Sequence, residues 1–239
     1  MPEFFSAILT AFNMVIAFDS SLMEIVSRSL QVNFIAVGTA ILVGFPLGAS
    51  IAIFRFPGRK VLSVFLNALM GMPPVVVGLI VYLLLSRAGP FGVLGLLFTP
   101  TAMIIAQFLL ILPIIAALTR QTIEDLWTEY REQLYSLDAT LSQTLLTLLW
   151  EGRFSLSTTV LAGFGRASGE VGAVMIVGGN IDHLTRVMTT AIALEVSKGD
   201  LSLALALGII LIALSICISG AAGYMNEYAR RRHQAPVGP

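Results

Sequence analysis

Residues 122–144 read TIEDLWTEYREQLYSLDATLSQT and gather Glu124, Asp125, Glu129, Arg131, Glu132 and Asp138, with Arg120 just before, into a chain that is otherwise apolar. Through this island and beyond it Leu126, Tyr130, Leu134, Leu137, Leu141, Leu145 and Leu148 recur at steps of 4, 4, 3, 4, 4 and 3. That spacing puts apolar side chains on one helical face. The island is therefore an amphipathic helical segment and not a loop. Thr140 and Gln143 fit a capping box, in which the threonine hydroxyl accepts from the amide three residues on and the glutamine reaches back. A break is expected near Asp138, with two short helices meeting at a turn.

Outside the island the composition is that of an all-α integral membrane protein. Of 239 residues 56% are hydrophobic and 12% are charged, with a mean hydropathy of +0.89; soluble domains carry roughly 25% charged residues. Net charge is zero, so no global field recruits nucleic acid. His183 and His233 with the single Cys217 cannot assemble an ordinary zinc site.

Runs long enough to cross the hydrocarbon layer fall at five places, 31–54, 61–85, 93–118, 156–179 and 201–224. A shorter apolar run, 4–18, lacks the basic start and cleavage site of a signal peptide and is read as a retained N-terminal helix, interfacial or marginally spanning. Nine basic residues, Arg55, Arg59, Lys60, Arg120, Arg131, Arg153, Arg230, Arg231 and Arg232, fall on one side of a five-span arrangement. Arg28, Arg87, Arg186 and Lys198 fall on the other. Positive charge favours the cytoplasm, so the island and the basic tail 226–239 are expected there. The segment 1–30 and the connections 86–92 and 180–200 are expected outside, with Val187 to Val196 forming a short surface helix.

Within the island EQLYSLDATLSQTLLTLLWE resembles the cytoplasmic EAA loop of bacterial ABC-importer permeases. Glu132, Gln133 and Leu134 stand where the Glu-Ala-Ala falls, and Asp138 stands at the glycine. The later runs LAGFGRASGEVGAVMIVGGN, 161–180, and TRVMTTAIALEVSKGDLSLALALG, 185–208, resemble molybdate and tungstate permeases, closest to the tungstate type. The resemblance implies a type I importer-like permease domain over 31–225, with a coupling loop at 119–155 that docks on a separate ATPase. Glu132 would be its polar anchor. It also implies a second copy of the chain, two ATP-binding subunits, an extracytoplasmic solute-binding protein, and a home in a bacterial or archaeal cytoplasmic membrane with the C-terminus inside. ATP and Mg would bind the partner ATPase, and this chain would bind no cofactor. Asp138 departs from the pattern. Aspartate enters positive φ less readily than glycine, so the turn needs a side-chain cap and its coupling is expected to be weaker.

Two features mark a path through the membrane. Pro73 and Pro74 sit near the middle of span 61–85, remove two backbone donors and are expected to kink it. Arg166 and Glu170 lie four apart in span 156–179 and share a helix face. They pair with each other, or Arg166 attracts a passing oxyanion. Gly163, Gly165, Gly169 and Gly172 interrupt the same span and permit close helix approach or gating.

The expected function is the transmembrane subunit of an ATP-driven oxyanion importer, carrying tungstate or molybdate. No G-x-x-x-x-G-K-[ST] motif is present, so hydrolysis must come from a partner. The alternative, a transporter driven by an ion gradient, explains bent helices equally well but gives the island no role. An intramembrane enzyme lacks a visible catalytic constellation.

Overall fold

The computed structural model describes residues 19–234 together with 8, 9, 12, 13 and 15–17. The helix expected over 4–18 falls largely outside the described residues. The elements are α1 Ser20–Ile53, α2 Arg59–Met70, α3 Pro74–Leu85, α4 Pro100–Ser136, α5 Leu141–Glu151, α6 Arg153–Ser168, α7 Gly172–Gly178, α8 Met188–Lys198 and α9 Leu201–Gln234, with a 3-10 turn at Gly92–Leu94. Helices α1, α4 and the Leu201–Ala221 part of α9 are each long and apolar enough to cross a membrane. The pairs α2 with α3 and α6 with α7 are bent spans, which brings the total to as many as five.

The joints differ from expectation in three places. Span 61–85 is not one kinked helix: α2 stops at Met70, α3 starts at Pro74, and the two axes differ by 100°. A proline pushes the residue before it out of the helical region, and two in succession do this to Met72 and Pro73 together. Pro73 is extended, at φ −62° and ψ 123°, and Pro74 then opens α3 at a position that needs no N–H. Span 156–179 is likewise broken, between Ser168 and Gly172, by 58°. Finally, the first half of the charged island is no separate short helix. It is the continuation of span 93–118, because α4 runs unbroken from Pro100 to Ser136 with no glycine or proline after Pro113 to stop it.

At 1.5 Å per residue α1 is about 51 Å long and α4 about 56 Å, against roughly 30 Å of hydrocarbon, so each projects beyond the bilayer. Asp19 caps α1, its Oδ1 accepting from the amides of Ser21 at 3.0 Å and Leu22 at 3.2 Å. The hydroxyl of Ser21, then the amide of Leu22, hold this carboxyl below the usual carboxylate range.

The α1–α4 pair is the axis of the fold. A β-carbon on Gly48 would lie 2.4 Å from the Ala116 carbonyl oxygen, and one on Gly44 2.8 Å from Ile115 Cγ2. These two glycines, four apart, let the backbones cross closely, as small residues do between membrane helices. Ala36, Ala40, Ile111, Ile115 and Phe164 fill the core beside the crossing. Helices α3 and α7 add Val77, Val81, Ala173 and Val174 against Met103 and Ala106 of α4.

Charged side chains separate the two ends. At one end Arg59 donates to the carbonyls of Ile51 at 2.7 Å and Ala52 at 2.8 Å, satisfying the last turn of α1, and pairs with Glu124, which also takes Arg120. At the other, Arg28 reaches the His183 carbonyl at 3.4 Å, His183 Nδ1 meets Glu24 at 2.8 Å, and Arg186 pairs with Asp182 at 2.7 Å. The island and the segments around residues 24 and 183 therefore lie at opposite ends.

Candidate functional site

At the island end, α4 closes in a Schellman arrangement. The Ala139 amide donates to the Leu134 carbonyl and the Asp138 amide to that of Tyr135, both at 3.1 Å. Asp138 occupies the left-handed position at φ +49°. Thr140 then caps α5: the Gln143 amide donates to Thr140 Oγ1 at 3.4 Å, and the Thr140 amide to Gln143 Oε1 at 2.8 Å. The break and its capping box fall where the sequence places them, and aspartate takes the conformation the turn requires.

Glu132, Gln133 and Asp138 are exposed at this corner, while Leu134 is buried. The leucine stripe splits. Leu134 and Leu148 pack with Ala49, Ala52, Ile53 and Ile123, flanked by Leu126, Tyr130 and Leu145. Leu137 and Leu141, by contrast, are 76% and 56% exposed. The helix ends at Ser136 and restarts at Leu141, so both leucines sit at the projecting turn, and a stripe continuous in sequence is not continuous in space. With Tyr135, Leu146 and Trp150, also exposed, these leucines leave apolar surface on a projecting polar end. Beside it lies a groove of about 580 Å³ bordered by Phe54, Arg55, Trp127, Arg131 and Tyr135.

Inside the bundle the two breaks meet. A β-carbon on Gly172 would stand 2.9 Å from Val75 Cγ2, so the chain just after Glu170 touches the chain just after Pro74. Glu170 is fully partnered: Oε2 accepts from Arg166 Nη1 at 2.7 Å, Oε1 from the Ala173 amide at 2.9 Å, and its carbonyl from Thr189 Oγ1 at 2.8 Å. Its side chain is 3% exposed, against 28% for Arg166. A buried carboxylate needs such partners. Arg166 therefore pairs with Glu170, while its side chain as a whole stays part-exposed.

Ser155, Thr158, Ala162, Gly165 and Gly169 form an exposed face on α6 and its end. They recur at steps of 3, 4, 3 and 4, small or polar where lipid would favour large apolar side chains. Gln121, Thr122 and Ser155 border a groove of about 410 Å³ along it. Of this face the sequence marks only Gly165 and Gly169, and it does not mark Asn33 and Gln107, two amides buried in apolar helices against the end of α6. Their signal was only that each is an isolated polar residue in an apolar run. Among the described residues no group of three His, Cys, Asp or Glu side chains is placed to hold a metal ion.

A helical bundle with three long spans, two bent ones and an exposed amphipathic corner has the architecture of a multi-pass membrane protein. Residues 44–231 match the binding-protein-dependent transport system inner membrane components, and the chain belongs to that family. It is a multi-pass inner-membrane permease of an ABC transporter, its ATPase residing on a separate chain and its cofactor requirement likewise. The family implies ATPase and binding-protein partners. The chain is similar to the tungstate uptake system permease protein TupB of Peptoclostridium acidaminophilum, at 40% identity over 91% of this chain and 95% of that one. It resembles a probable anion ABC transporter permease protein of Haloferax volcanii at 38% identity, over 83% and 88%. The sulfate transport system permease protein CysT of Synechocystis is more distant, at 26% over 84% and 74%. In fold it resembles a chain of the MetNI methionine ABC transporter in its inward-facing conformations, with a TM-score of 0.67 at 16% identity, covering 89% of this chain and 97% of that one.

Proposed function

We propose that this chain forms the translocation path of an ATP-driven oxyanion importer whose substrate is tungstate. The observation that carries this reading is the 40% identity to a tungstate permease across 91% of the chain, against 26% to a sulfate permease. The working unit is two copies of the chain, two ATP-binding subunits and an extracytoplasmic solute-binding protein. Residues 31–225 are the permease domain, 119–155 the coupling segment and 226–239 a basic tail, with the C-terminus in the cytoplasm, where nine basic residues favour it.

The corner around Asp138 docks on the ATPase. Glu132 and Gln133 supply polar contacts, Leu137 and Leu141 the apolar ones, and Leu134 fastens the corner to α1. Because α4 is continuous from the bilayer to the corner, closure of the ATPases moves a rigid helix and, through its packing, the two broken spans. Pro73, Pro74, Arg166 and Glu170 mark the moving region. The exposed face of α6 lines the path, and Arg166, whose side chain is part-exposed, draws the dianion in without holding it, since Glu170 offsets its charge. Tungstate and molybdate have equal charge and nearly equal size, so the binding protein selects between them.

The test is uptake into proteoliposomes carrying the permease, its ATPase and its binding protein. Tungstate accumulation that needs ATP and the binding protein, and that excess sulfate does not suppress, supports the reading. Uptake by the permease alone, driven by an ion gradient, overturns it.

A further inference from the structure

One buried polar cluster is used by neither the corner nor the paired breaks. Gln107 of α4 is 3% exposed; its Nε2 donates to the Ala167 carbonyl at 3.4 Å, and its Oε1 has no partner. Ser168, the next residue of α6, is 7% exposed and accepts at Oγ from Asn33 Nδ2 at 3.4 Å. Its own hydroxyl hydrogen meets no acceptor among the described residues. A buried acceptor lacking a donor thus lies against the same helical turn as a hydroxyl lacking an acceptor. An orphaned buried carbonyl forfeits its hydration with nothing in return, which favours any arrangement that supplies a donor.

The turn in question is the last of α6. It ends at Ser168, and the 58° bend follows immediately. Its bonds across the break are long: the Gly169 amide reaches the Gly165 carbonyl at 3.2 Å, and the Glu170 amide reaches the Ala167 carbonyl, already shared with Gln107, at 3.3 Å. The bonds from Gln107 and Asn33 are longer still, so the last turn of α6 is held in place by contacts that are easily exchanged.

We propose that Gln107 is a positioning residue for transport whose carboxamide holds the end of α6 in two alternative registers. In the register seen here Nε2 donates to the Ala167 carbonyl. In the other, the turn slides so that the Ala167 carbonyl leaves Nε2 and the Ser168 hydroxyl donates to Gln107 Oε1; each register then leaves one carboxamide atom without a partner, which keeps the two close in energy. Two discrete hydrogen-bonded positions make the end of α6 bistable instead of soft, which is what converts a small push from α4 into a defined gate movement. The proposal rests on the reading that the α6–α7 break moves during transport.

The test uses the complete complex in proteoliposomes, in a Cys217→Ser background, with spin labels at the exposed positions Thr158 and Ile181 on either side of the break. Gln107→Met keeps the volume and removes both polar atoms; Gln107→Leu serves if the first variant assembles poorly, and Ser168→Ala removes the same bond from its other side. With Gln107 present the label distance switches between two values on ATP binding. In Gln107→Met one value is lost while thermal stability stays unchanged, since an orphaned group has been removed. In the unlabelled complex the number of anions moved per ATP falls about tenfold, the factor that one ordinary hydrogen bond is worth. Combining Gln107→Met with Ser168→Ala does no further harm, because both delete one interaction. If the unsubstituted complex switches and Gln107→Met switches identically with an unchanged anion-to-ATP ratio, Gln107 has no such role, although the break still moves. If the unsubstituted complex does not switch at all, the moving-break reading fails and the proposal fails with it.

Discussion

A β-carbon on Gly78 of α3 would stand 2.7 Å from Cα of Ala173 on α7, so the helices that follow the two breaks touch backbone to backbone. No flexible side chain yields at that point. Gly78→Val should force α3 away from α7 at a cost of about 3 kcal/mol, the upper range for overpacking. Thermal unfolding of the purified permease measures this. Gly208→Ala is the control, because its β-carbon enters open space and alanine is the better helix former.

Asp138 holds φ +49°, a conformation that glycine adopts without penalty. Asp138→Gly should therefore stabilise the chain by about 1 kcal/mol, and Asp138→Val should destabilise it by at least about 1 kcal/mol. The two melting temperatures should move in opposite directions from that of the unsubstituted protein.

Glu124 is shared by Arg59 and Arg120, and Arg59 also satisfies the end of α1. Glu124→Gln should loosen that end. The pair members are 15–34% exposed, so water screens them and the loss is held to about 1 kcal/mol. Amide hydrogen exchange at residues 51–59 should rise in the variant, and the difference should shrink in high salt.

At the opposite end the hydrogen bond from His183 to Glu24, then the charge of Glu24, raise the histidine above its ordinary value of 6.5. Asp182 pushes the same way and Arg186 opposes it. A raised folded-state pKa means the contact stabilises fully below 6.5 and is lost as pH rises through the raised value. The turn at residues 181–186 should be held against α1 under mildly acidic conditions and released under alkaline ones. Cross-linking between the turn and α1 should follow that trend, and Glu24→Gln should abolish the pH dependence.

Much of this architecture was legible in the chain. Apolar run length marked the places that hold three long helices and two bent pairs, Thr140 and Gln143 announced the cap of α5, and the spacing of Arg166 and Glu170 announced their pairing. What escaped has physical causes. A single proline kinks a helix, but at Pro73–Pro74 each constrains the residue before it, and the sum is a full stop. The charge island looked like its own element because composition changes there, whereas helix continuity depends on breakers, and none stands between Pro113 and Asp138. Leu137 and Leu141 fit the stripe in sequence, yet both fall at the corner where the helix ends and restarts, and both are exposed. Gly44 and Gly48 carry a small-xxx-small spacing in plain view, yet which helix they face is a tertiary fact. Gln107 had no local partner to reveal it, since both residues it touches or could reach lie some sixty positions away.

The decisive experiment concerns the corner. Glu132 projects with its side chain 87% exposed, next to apolar surface the chain does not cover itself. In proteoliposomes containing the whole complex, tungstate uptake and ATP hydrolysis are measured together for the unsubstituted permease and for Glu132→Arg. Uptake should collapse in the variant while the permease remains inserted and at its normal level. Unchanged uptake at equal protein level would contradict the assignment of residues 119–155 as the element that receives the ATPase.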